Sequence, residues 1–253
     1  MRRREALAAL WAAARAARGE TRTSSVLIEV RSGRVISEQA GRMAGPPGST
    51  MKPLVLATLI EAGKLRAEDR WPCPGELRIA GRALACSHPP LSAPVDARTA
   101  IAYSCNCFVA HMAERFEPGE LERALRRFGL DEQRPADTRL LALGEDGVLA
   151  TASALAAAYR RLALGAPELV LAGMEDAVEY GTAQRARVQW WKVAGKTGSV
   201  VSAEGAHLAW FAGFAPSRVP KMAVAVMVQG RSGGSDAAPV ARQMLEACVK
   251  ETP

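Results

Sequence analysis

Short apolar runs rich in Val, Ile and aromatic residues lie at the two ends of the sequence, and helix-spaced apolar positions fill its middle. An amphipathic helix is predicted from about Glu5 to Arg18, with Leu7, Leu10 and Trp11 on one side. Ser24-Ser-Val-Leu-Ile-Glu-Val30 reads as a strand, Arg31-Ser-Gly-Arg34 as a turn and Val35-Ile-Ser-Glu38 as its return. Ser49 opens a helix carrying Leu54, Val55, Leu56, Leu59 and Ile60, which Gly63 stops. Residues 64–95 look irregular apart from a hairpin within Pro74–Ala85. Further helices are predicted from Asp96 through Ile101, onward to Phe116, from Glu120 to Phe128, from Thr151 to Leu162 and from Glu168 to Tyr180. Three strands follow, within 192–201, 207–215 and 221–228, separated by short Gly- or Pro-bearing turns, and a last helix covers Ala238 to Val249. The order predicts an α/β (α+β) fold: a five-stranded antiparallel sheet flanked by helices, with an inserted all-helical lobe. We expect one domain over 1–253, with a sheet lobe of about 1–45 and 185–253 and a helical lobe of about 46–184.

Composition changes this picture little. The chain has 253 residues, 49% hydrophobic and 23% charged, enough for one sizeable core and too ordered in pattern for extended disorder. The formal net charge is +7, but the arginines are scattered and no nucleic-acid-binding motif stands out, so no nucleic-acid partner is expected. A cationic surface also suits anionic membranes or cell-wall polymers. No apolar run is long enough to span a membrane. Met1-Arg-Arg-Arg4 and the alanine-rich stretch after it resemble a signal peptide only faintly, because Glu5 and Arg15 interrupt it.

Five cysteines are present, an odd count that fixes no compartment. Cys73 and Cys86 flank the predicted hairpin. They could form a disulfide, join His88 in a metal site that lacks a clear fourth ligand, or remain free thiols. Cys105 and Cys107, either side of Asn106, read as buried apolar packing. No metal and no cofactor are assigned.

The chemistry concentrates in three places. In Gly45-Pro-Pro-Gly-Ser-Thr-Met-Lys-Pro53 the prolines and Gly48 turn the chain, and Ser49 and Lys52 then share a helix face. A desolvated, neutral lysine beside a hydroxyl can take its proton and make it a nucleophile. The bland alternative is that Ser49 caps the helix and Lys52 is a surface cation. In Ser104-Cys105-Asn106, Ser104 can relay a proton and Asn106 can hold a lysine or a substrate amide. A polar helix junction satisfying its own backbone is the alternative. In Lys196-Thr197-Gly198-Ser199, Lys196 supplies positive charge and Gly198 lets a ligand approach the backbone. The Ser199 hydroxyl can bind a carboxylate, and its N–H could join that of Ser49 as an oxyanion hole.

Taken together, S-x-x-K, S-x-N and K-T-G in this order and at these separations resemble the transpeptidase domain of penicillin-binding proteins. Pro47–Pro53 resembles that family's nucleophile motif, with Met51 where Phe is usual. Ala102–Asn106 resembles its second motif, and Val193–Ser199 its third, with Ser for the commoner Thr. Leu149–Tyr159 is similar to its T-P-x-Q-x-A-x-A-Y helix without the Pro and Gln. Gly173-Met174, Gly181-Thr182 and Trp210–Pro216 also fit, so the likeness covers residues 22–250. The Cys-Pro-Gly and Cys86 segments look most like class B members.

The resemblance implies a β-lactamase/transpeptidase-like fold and an acyl-serine mechanism. Ser49 would attack the D-Ala–D-Ala carbonyl of a peptidoglycan stem peptide, and Lys52 would accept its proton. Ser104 would pass a proton to the leaving nitrogen, with Asn106 holding Lys52 and the substrate amide. Lys196 would keep the field positive, Thr197 and Ser199 would bind the terminal carboxylate, and the N–H groups of Ser49 and Ser199 would stabilise the oxyanion. β-Lactams would acylate the same serine. Cell-wall synthesis proteins as partners and an extracytoplasmic location are likewise implied. The usual N-terminal pedestal domain and membrane anchor are not in this sequence, so it is expected to be a trimmed piece or a minimal protein localised by a partner. The stretch between Asn106 and Thr151 is short for the family, which predicts a reduced helical lobe. Two rival readings are a class D-like serine β-lactamase, against which Asn106 argues, and a sensor module that binds without turnover.

Overall fold

The structure is a computed structural model that describes residues 22–39, 43–131, 133 and 135–249. The predicted helix of Glu5–Arg18 lies outside the described residues. The chain opens with β1 (Thr23–Glu29) and β2 (Val35–Gln39), then a tight helical turn (Gly48–Met51) that runs straight into α1 (Lys52–Glu61). The hairpin β3 (Glu76–Ile79) and β4 (Arg82–Ala85) follows. Next come α2 (Ala97–Ala102), α3 (Asn106–Ala113), α4 (Glu120–Phe128), α5 (Thr138–Ala142), α6 (Ala152–Ala163) and α7 (Glu168–Glu179). The chain closes with β5 (Ala194–Val201), β6 (His207–Ala215), β7 (Met222–Gln229) and α8 (Ala238–Val249).

Strands β1, β2, β5, β6 and β7 form one five-stranded antiparallel sheet, as predicted, and the structure sets their order as β2-β1-β7-β6-β5. Side chains alternate across a strand, so the sheet has two apolar faces. Val26, Ile28, Trp210, Phe214, Ala225 and Met227 face the core shared with Leu155, Ala156 and Tyr159 of α6. Leu27, Phe211, Val224, Val226 and Val228 face the other way, against Ala238, Ala241, Met244 and Leu245 of α8. Burial on both faces explains why β6 and β7 read as continuous apolar runs rather than alternating ones.

Helix α1 is buried along Lys52–Leu59 and forms the centre of the helical layer. A helix that is apolar nearly all round belongs in a core. Asp96 and Thr151 cap their helices through the N–H groups of Thr99 and Ala154, as the sequence predicts. Helix α5 and the turn Gly233–Ala237 were not anticipated; each spans only five residues, too few for a periodic signal.

Candidate active site

The site is assembled where the turn Gly48–Met51 meets β5. Strand β5 is an edge strand: β6 pairs with one side, and the turn packs against it. Gly198 makes the approach possible, since a Cβ there would stand 2.7 Å from the Pro47 carbonyl oxygen. The turn is fastened from below. Tyr159 donates to the Thr50 carbonyl at 2.7 Å, the Trp210 indole donates to the Pro46 carbonyl at 2.9 Å, and the Gly48 N–H donates to the Gly144 carbonyl at 2.9 Å. Thr50 closes the turn by donating its hydroxyl to the Pro47 carbonyl at 2.8 Å.

The bland readings of the first motif do not hold. Pro47, not Ser49, occupies the cap position, and no side chain caps the turn. Ser49 lies in the first turn, where backbone N–H groups have no partner within the helix. Its hydroxyl is partly exposed and has no hydrogen-bond partner among the described residues. Lys52 is not a surface cation but fully buried. Its ammonium donates to the Ser104 carbonyl at 2.7 Å, the Ser104 hydroxyl at 3.1 Å and the Asn106 Oδ1 at 2.6 Å. Burial pushes its pKa down to about 8, while the thiols of Cys105 and Cys86 and the Glu145 carboxyl hold it up.

Ser104 sits between α2 and α3 with φ at +61°, a left-handed conformation that a non-glycine residue adopts at a cost of ~1–2 kcal/mol. That conformation turns both its carbonyl and its hydroxyl toward Lys52. Asn106 begins α3, and its Nδ2 donates to the Ala85 carbonyl at 2.8 Å, so the end of β4 fixes the amide that holds Lys52. Thus the structure brings Lys52, Ser104 and Asn106 into direct contact and sets Ser49 one helical turn before Lys52.

On β5, Lys196 is fully buried, and its ammonium donates to the Thr197 carbonyl at 3.0 Å. Burial first, and the charge of Lys52 second, lower its pKa. Thr197 donates to the Thr182 hydroxyl at 2.9 Å, and the Ser199 hydroxyl accepts from the Gly233 N–H at 3.0 Å. That leaves the Ser199 O–H free to donate. Two positively chargeable side chains and a row of hydroxyls therefore line one strand edge and one helix end.

Sequence reasoning did not pick out Glu145, Thr182 or Gly233. Glu145 follows α5 in an irregular segment, pairs with Arg82 of β4 at 3.0 Å, and has its pKa raised by burial. Nothing local in the sequence marks it. Thr182 belongs to the Gly181-Thr182 segment that fits the family, but only the fold reveals its contact with Thr197. Cys105 also needs correction: it is buried, yet its sulfur faces those of Cys73 and Cys86 rather than plain apolar packing.

With this geometry in view, comparison with known proteins is direct. The family model described as penicillin binding protein transpeptidase domain matches residues 38–165 and 165–246. The chain belongs to that family. It is 27% identical over 277 residues to the peptidoglycan D,D-transpeptidase PbpA of Mycobacterium tuberculosis, covering 82% of this chain and 56% of that protein. It is 26% identical over 275 residues to PbpA of Mycolicibacterium smegmatis, covering 81% and 55%. The chain thus spans about half the length of the curated relatives it matches. The fold is that of the crystal structure of Pseudomonas aeruginosa PBP2 in complex with WCK 5153, with a TM-score of 0.79 at 22% identity, covering 90% of this chain and 71% of that one. The D,D-transpeptidase domain of a peptidoglycan glycosyltransferase from Eggerthella lenta matches with a TM-score of 0.81 at 16% identity, covering 95% and 80%.

Proposed function

We propose that this chain is a serine D,D-transpeptidase acting on peptidoglycan stem peptides, transferring the acyl group to an amine or to water. The observation that carries the proposal is Lys52: a buried lysine, lowered toward neutrality, that grips Ser104 and Asn106 one turn after Ser49. In its neutral form Lys52 takes the Ser49 proton as the oxygen attacks the penultimate D-Ala carbonyl. The oxyanion formed is met by the N–H groups of Ser49 and Ser199. As the C–N bond breaks, the proton passes from Lys52 through the Ser104 hydroxyl to the departing D-Ala amine. Asn106 orients Lys52 and accepts or donates to the substrate amide. Thr197 and Ser199 bind the terminal carboxylate, in the positive field of Lys196, while Gly198 between them is taken up by the turn that carries Ser49. The free edge of β5 suits an extended peptide, which can add as a further strand.

The family and the named relatives support this reading, and with it β-lactam acylation of Ser49, a role beside other cell-wall synthesis proteins and an extracytoplasmic site of action. No helix among the described residues is long and apolar enough to cross a membrane. The test is intact-protein mass spectrometry after a labelled penicillin. One adduct is expected on the native chain and none on Ser49→Ala; an adduct persisting in Ser49→Ala overturns the nucleophile. Release of D-Ala from a D-Ala–D-Ala peptide is expected as well, and its absence with intact acylation points to a non-turnover sensor. Rapid loss of the penicilloyl adduct points instead to a β-lactamase.

A further inference from the structure

Four side chains outside the proposed chemistry converge on one point beside it. The Sγ atoms of Cys73 and Cys86 are 3.6 Å apart, those of Cys73 and Cys105 3.5 Å, and those of Cys86 and Cys105 3.8 Å. The Nε2 of His88 lies 3.7 Å from Cys73 Sγ, and all four donor atoms fall within 4.8 Å of one another. These separations are far beyond a covalent sulfur–sulfur bond of about 2.05 Å. They match the edges of a tetrahedron around zinc: with Zn–S near 2.3 Å and Zn–N near 2.05 Å, ligand atoms stand about 3.8 Å apart for two sulfurs and about 3.6 Å for sulfur and nitrogen.

The surroundings are also those of a ligand set. His88 donates from Nδ1 to the Pro89 carbonyl at 2.8 Å, which leaves the Nε2 lone pair facing the sulfurs. The Asn106 N–H points at Cys86 Sγ at 3.3 Å, as backbone amides do toward metal-bound thiolates. The segment that supplies Cys73, Cys86 and His88 is in evident need of a fastener. It is a two-stranded hairpin, mostly exposed, and such a hairpin is marginal by itself. Cys105, by contrast, is buried between Ser104 and Asn106.

We propose that Cys73, Cys86, Cys105 and His88 bind one zinc ion in a closed, tetrahedral Cys3His site that staples the β3–β4 hairpin to the Ser104–Asn106 segment. With all four positions filled by protein, the ion is structural: it has no open place for water or substrate. Metal binding releases the thiol protons and adds its free energy to folding of the hairpin. This inference does not depend on the acyl-transfer reading, and its readouts are separate from activity.

The full chain, produced in zinc-supplied cells and purified without chelator, is expected to carry close to one zinc per chain by elemental mass spectrometry. Replacement by cobalt is expected to give the visible bands of tetrahedral cobalt bound to thiolates, a measurement that needs no variant to fold. Cys86→Ser and His88→Ala are each expected to lower zinc retention at least tenfold, whereas Cys107→Ser, whose sulfur lies 3.6 Å from Cys86, keeps it. A native chain without zinc whose mass shows a Cys73–Cys86 disulfide overturns the site. Zinc lost in Cys107→Ser but kept in His88→Ala overturns the donor set.

Discussion

On the sheet side of the site, the turn Gly48–Met51 is held by buried groups that belong to the main core. Tyr159 and the Gly144 carbonyl each hold one backbone group of it, Trp210 holds the Pro46 carbonyl just before it, and Gly198 lets it rest against β5. On the opposite side, Asn106, next to Ser104, leans on the end of an exposed hairpin and on the sulfur of Cys86. The first side is positioned by close packing of a five-stranded sheet with a helix on each face. The second has too little apolar surface beneath its hairpin for that, and relies on polar contacts, a strained Ser104 backbone and a cluster of sulfurs. Lys52 spans the two, rooted in α1 and gripping the far side. Variants on the sheet side should therefore move stability, and variants on the hairpin side should move chemistry.

The largest effect is expected at the link itself. Lys52→Ala removes the base and strands Asn106 Oδ1, so penicillin acylation, followed by stopped-flow or gel fluorescence, should fall by ~10²–10⁴-fold. Retention of the native rate would break the proposed chemistry. Next, Ser104→Gly tests the hairpin side. Glycine tolerates φ near +60°, so melting temperature should hold or rise while acylation drops by ~10²-fold. A large stability loss without a rate loss would reverse the comparison.

The pH dependence follows from the lowered Lys52. With a pKa of about 8, the amine is mostly protonated below that pH and mostly neutral above it. The acylation rate constant should therefore rise about tenfold between pH 7 and 9 and level off, because the neutral form is the base. A rate that falls with rising pH through this range would require the ammonium form instead.

On the sheet side, Gly198→Val drives a branched side chain into the Pro47 carbonyl and the Trp210 side chain. Overpacking of ~1–3 kcal/mol lowers Tm by roughly 3–10 °C and pushes the turn off β5. The smallest effect is expected for Tyr159→Phe, which leaves the Thr50 carbonyl without its buried partner at a cost of about 1 kcal/mol. Calorimetry should show the Tm drop with a near-native acylation rate. A rate loss larger than the stability loss would mean that the turn is less firmly seated than its other contacts imply.

Much of this was legible in the sequence. The strands and nearly all the helices follow from local periodicity, caps and stop signals, which is why Glu120–Phe128 and Ala238–Val249 appear at the predicted bounds. The three motifs were legible only taken together: each is short and contiguous but has an ordinary structural reading by itself, and their order and separations are what point to one site. Missed elements were too short to carry a period, and missed residues such as Glu145 sit in segments with no pattern to read.

By itself, then, the sequence determined the sheet's strands, their antiparallel character and which residue types could do chemistry. Only the tertiary structure decided that Lys52 is buried, that its partners are Ser104 and Asn106, and that Cys105 meets Cys73, Cys86 and His88. Those contacts join residues tens of positions apart. Local pattern fixes each segment's own geometry, but burial and donor spacing arise only when the segments close on one another, and these set a lysine's protonation and a metal's coordination sphere.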